Sequence, residues 1–163
     1  MLDVSAIIEA YFQAHWVETN PAVTDILWTF DEFNPNWKGK VDGDLPLIQV
    51  QILFENLAAK ESFITREIYR VEHKLKISIF VRPVKYMPDA IASAKTTFLN
   101  AKKEVDRILR VRFGISGIYS VSLTGWTDTE IAVGRDIKST KEPVTFTAEQ
   151  IINTIYYQGA FSP

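Results

Sequence analysis

The sequence predicts an α+β domain: a mixed or antiparallel sheet with an N-terminal helix and one long helix packed on it. Three observations carry this reading. From Tyr69 to Val81 every second residue (Tyr69, Val71, His73, Leu75, Ile77, Ile79, Val81) is apolar or ring-bearing. Side chains alternate across a strand, so this segment has one dry face and one wet face. Second, Ile91, Ala94, Phe98, Ala101, Val105, Ile108 and Arg112 recur at three-four spacing, which draws one stripe on a helix. Third, strands and helices do not alternate in a regular repeat, which argues against a doubly wound parallel sheet.

Taken in order, the first element is a helix. Asp3 can cap it, and Val4, Ile7, Ile8, Tyr11 and His15 share a face. Asn20-Pro21 ends or follows it. Asp25 to Phe30 is rich in β-formers and reads as a short strand. Pro46 opens a second strand, in which Ile48, Val50, Ile52 and Phe54 alternate with Leu47, Gln49, Gln51 and Leu53. The long strand stops at Arg82-Pro83, because proline removes a ladder donor. It is about twice the usual strand of roughly 5–6 residues, so it either bends across a sheet or projects from the body.

The long helix begins near Pro88-Asp89 and stops at Gly114. Tyr119, Val121 and Leu123 then alternate in a strand closed by Gly125. In 147–157 two signals compete. Thr147-Ala-Glu-Gln150 resembles a capping box, yet Ile151, Ile152, Thr154, Ile155, Tyr156 and Tyr157 are β-formers, and a strand is favoured. Segments 34–44, 56–66 and 126–143 read as loops or projecting segments of a single 1–163 domain, and 159–163 as a flexible tail.

The chain has 163 residues, enough for one domain with a real core. It has no cysteine, which excludes disulfides, thiol catalysis and cysteine zinc sites. No apolar run approaches bilayer length, and Met1-Leu-Asp-Val-Ser lacks the start of a signal peptide, so no membrane partner is expected. The net charge of −2 conceals a split. Residues 1–64 carry ten acids and three bases; residues 65–112 carry twelve bases and five acids. Such a split either decorates solvated faces or marks surfaces that meet between subunits.

Little in the chain points to catalysis or to a cofactor. Both histidines, His15 and His73, fall on apolar faces, where a packed histidine is commoner than a catalyst. There is no G-x-S-x-G elbow, phosphate loop or G-x-G-x-x-G. Asp42-Gly43-Asp44 lacks the rest of a calcium loop and reads as a turn. Lys95, Lys102, Lys103, Arg107 and Arg110 could meet phosphates, and Tyr119 and Trp126 could stack on bases. The RNA-recognition and KH signatures are absent, so specific nucleic-acid binding is not expected. The better candidates are interface residues: Trp37 and Trp126 in expected loops, and the cations Arg70, Lys74, Lys76, Arg107 and Arg110.

The element order resembles the tail-terminator or tail-completion family of tailed phages and related viruses. The likeness rests on the N-terminal helix, on Leu45-Pro46-Leu47-Ile48-Gln49-Val50 opening a strand, and on Leu75 to Pro83 closing a long one. The helix at Ala90 to Arg112 and two terminal strands complete it. The resemblance is architectural. It implies a non-enzymatic virion protein, assembled in the host cytoplasm into a ring, commonly hexameric, at the head-proximal end of the tail. Its implied partners are other copies of the chain, a tail-tube protein and a neck or connector protein. A head–tail connector is the neighbouring alternative. A nucleic-acid-binding regulatory module, or a small enzyme with a site built from scattered acids, would be alternatives of other classes.

Overall fold

The computed structural model describes residues 3–28, 48–65, 68–83, 88–110, 120–131 and 145–159. The elements are α1 (Val4–His15), a 3-10 turn (Val23–Asp25), β1 (Ile26–Leu27), β2 (Ile48–Phe63), β3 (Ile68–Pro83), α2 (Pro88–Arg110), β4 (Ser120–Ile131) and β5 (Thr145–Gly159). The strands form one mixed five-stranded sheet in the order β1-β2-β3-β5-β4. β1 runs parallel to β2, and every other pair is antiparallel. α2 packs mainly on β3, with contacts to β2 and β5, and α1 packs on β2. This is the α+β domain expected from the alternation in β3 and the stripe on α2.

The register explains which residues form the core. Val50, Val81 and Phe146 lie side by side, then Ile52, Ile79 and Ala148, then Phe54, Ile77 and Gln150. All belong to one face, and all are buried. Phe98 of α2 stacks on Phe146 with ring centroids 5.8 Å apart. Ala94, Ala101, Val105 and Ile108 continue the buried stripe. Each fully buried aliphatic side chain contributes about 1.5–3 kcal/mol relative to exposure.

α1 lies on the same face, further toward the β2–β3 turn. Asp3 caps it by accepting from the Ala6 amide at 3.2 Å. Val4, Ile8 and Phe12 are fully buried, and Phe12 meets Phe54 at 5.2 Å between centroids. The C-terminus of α1 is held by α2. Arg107 Nη2 donates to the His15 carbonyl at 2.6 Å, while Glu104 accepts the Val17 amide at 2.9 Å. A cation on the last carbonyls of a helix is favourable for both hydrogen bonding and the helix dipole.

Some boundaries differ from the sequence reading. Segment 56–63 is strand, continuing β2 to Phe63. Gly125 does not close a strand: β4 runs through it to Ile131. The ladder slips between Leu123 and Trp126, and Gly125 has φ +94°. The glycine therefore allows a bulge where a side chain would be strained. Residues 126–131 consequently belong to β4. Residues 147–157 are strand, inside β5. The rest of 126–143, the 34–44 segment with Trp37, and 160–163 lie outside the described residues.

Candidate interaction surface

The outer half of β2 runs past its cover. Asn56 to Thr65 are all exposed, on both faces of β2. At about 3.3 Å per residue, 56–63 extends roughly 25 Å. β3 lies along it to Ile68, paired on its other side with β5 to Gly159. The result is an arm in which β4 flanks β5 as far as Ser120 opposite Ile155, so that only its end is three-stranded, and in which Val71, Leu75, Ile152 and Tyr156 remain buried on one face. On the helix side its root is closed by α1: Asn56 Nδ2 donates to Ser5 Oγ at 3.1 Å, and His73 Nε2 meets Asn56 Oδ1 at 2.9 Å. Burial lowers the His73 pKa, which favours the neutral ring, although Asp3 pulls the other way.

Toward its tip the arm carries large apolar groups in water. Phe63 is 72% exposed, and Ile64, Ile68 and Tyr157 are also exposed. Phe63 and Tyr69 touch at 4.5 Å between ring centroids. Apolar residues scattered singly are ordinary, but several gathered at one end of the sheet make a candidate interaction surface.

The face of the arm away from the helices is charged. Alternation brings Arg70, Lys74 and Lys76 of β3 onto it together, with Lys60 of β2 alongside. Acids interleave with them. Arg70 pairs with Glu72, and Lys76 Nζ lies 3.2 Å from Glu55 and 3.7 Å from Glu149. Bonding to Glu55 raises the Lys76 pKa. A shallow concavity of about 570 Å³ lies here, lined in part by Ala58, Lys60, Glu72, Lys74 and Asn153.

The remaining candidates sit elsewhere. Arg107 lies on α2, behind the sheet, donating to Glu104 and to the His15 carbonyl. Arg110 is exposed at the end of α2. Trp126 folds back on the same helix: its Nε1 donates to Asp106 Oδ1 at 2.8 Å, and Lys102 Nζ lies 5.9 Å from the ring centroid. The described basic residues of 65–112 are thus divided between the two sides of the sheet. Trp37 lies outside the described residues.

Sequence reasoning missed Leu57, Phe63, Ile64, Ile68 and Tyr157 as a group. The only signal was apolar residues in a segment without alternation. No alternation arises there because neither face of 56–63 is covered.

No group of three or more His, Cys, Asp or Glu among the described residues could hold a metal. No described helix is long and apolar enough to cross a membrane. Neither a protein-family model nor a curated protein sequence matches the chain.

Proposed function

We propose that this chain is a structural protein of a viral tail or neck. It assembles into a closed ring at the head-proximal end of the tail, where it ends tube growth and joins tail to head. The observation that carries this reading is the arm, whose β2 strand is bare from Asn56 to Phe63, with an apolar tip and a charged face. An arm of this kind costs exposed apolar area in a monomer and is covered when neighbours meet it. Ring closure needs a heterologous contact, in which different surfaces of successive subunits meet. The arm is one such surface. Its partners are further copies of the chain and, at the ring's two ends, tube and neck proteins.

Negative-stain imaging of the purified full chain tests the proposal. Closed rings of uniform diameter are expected, alone or on adding tail tubes. Particles no larger than a monomer under both conditions would remove it.

A further inference from the structure

Among the described residues the arm also has a backbone edge without a partner strand. β1 reaches only Val50 and Gln51 of β2. Among the described residues, no strand pairs with the outer side of β2 from Leu53 to Phe63. An exposed strand edge is a template for another strand.

We infer that this edge is a twofold seam, in which β2 pairs antiparallel with β2 of a second copy of this chain. The pattern of residues selects both the occupant and the register. The ladder with β3 slips at Leu57, between Asn56 and Ala58. Because of that extra residue, Glu55 and Lys60 lie on the same face of the sheet, opposite Lys76 and Glu72. Place the twofold axis between Leu57 and Ala58. Glu55 of each copy then faces Lys60 of the other, twice over. Asn56 faces Ala59, Leu57 faces Ala58, Phe54 faces Glu61 and Leu53 faces Ser62.

Every opposed pair away from the bulge then shares a face, as antiparallel pairing demands. Shifting one copy by a single residue puts residues of opposite faces against each other. Moving the axis to between Asn56 and Leu57 keeps most faces matched, but sets Glu55 against Ala58 and Lys60 against Leu53, with no charge pair. The chosen register also places Leu57, 44% exposed, at the centre of the seam. The seam therefore has an apolar centre, flanked by two reciprocal charge pairs. Glu55 already touches Lys76 in its own chain, so each pair extends an existing network. The contact is isologous and closes at two copies. It is independent of the ring reading: a single chain pair can form it, and two rings can meet through it.

Charge reversal tests the register. Glu55→Lys sets Lys against Lys, and Lys60→Glu sets Glu against Glu. Each alone should weaken dimerisation about tenfold or more, read by sedimentation equilibrium at low salt. The double variant restores opposite charges and should return dimerisation to near the wild-type level. Circular dichroism confirms that each variant folds. Because the chain has no cysteine, introduced cysteines supply a second readout. Residue 57 of each copy faces residue 58 of the other, so a mixture of Leu57→Cys and Ala58→Cys proteins should oxidise rapidly to a disulfide-linked dimer, while Ile151→Cys, exposed on β5, should not. Unchanged dimerisation in both single variants, failure of the double variant to recover, or equal cross-linking in the 57 and 58 mixture and at 151 would each overturn the seam. So would a wild type with no dimer at high concentration.

Discussion

Phe98 shows how one side chain joins helix to sheet. It is 6% exposed, stacks on Phe146, and lies under Lys102 at 5.4 Å. Phe98→Ala should destabilise the fold by about 3–5 kcal/mol, since it removes a buried ring and leaves a cavity; urea unfolding measures this. Glu104 makes a different kind of contribution. It is 5% exposed. Burial alone would raise its pKa, but hydrogen bonds from Arg107 and Val17, with the Arg107 charge, hold it below the ordinary 4.5. The stability that comes with this lowered value is fully present above 4.5 and is lost as pH falls through the lower native value. Glu104→Gln should flatten that part of the acid dependence, seen in urea midpoints between about pH 5 and pH 3. The Phe98 role could be read from helical spacing. The Glu104 role could not, because its partners Val17 and the α1 terminus lie 87 or more positions away.

At the scale of elements, covered structure was legible and uncovered structure was not. β3 is dry on one face because α2 packs on it, so its sequence alternates. The outer half of β2 is bare on both sides, so Asn56 to Ser62 carry no period and read as a connection. The strand state of 145–159 is set by pairing with β3 along its whole length, which overrides the local capping pattern at Thr147. Gly125 misled for another reason: glycine after an alternating run signals a stop, but here it forms a bulge within β4. Gly125→Ala meets open space, with nothing within 4 Å of the added carbon. Its cost should come from the positive φ alone, roughly 1–2 kcal/mol by thermal melting. The Trp126–Asp106 bond is a second clamp on β4. Trp126→Phe should loosen β4, seen as faster amide exchange in 120–131, while β2 and β3 stay protected.

For the whole molecule, composition does not locate a surface. Among the described residues, the charge split between 1–64 and 65–112 does not sort into one acidic and one basic side. Its cations divide between the helices and the arm, where Glu55, Glu72 and Glu149 partly neutralise them. Added salt should therefore weaken assembly only modestly, because exposed pairs contribute about 0–1 kcal/mol each; sedimentation across a salt series reads this. In the proposed assembly the apolar tip carries the larger share. The most direct test is sedimentation velocity of the wild type beside Phe63→Ser/Ile64→Ser/Ile68→Ser. The substitutions lie outside the core, so the variant should melt like the wild type. The account predicts that the wild type sediments as a closed oligomer and the variant as a much smaller species. A folded variant that sediments identically to the wild type would contradict it.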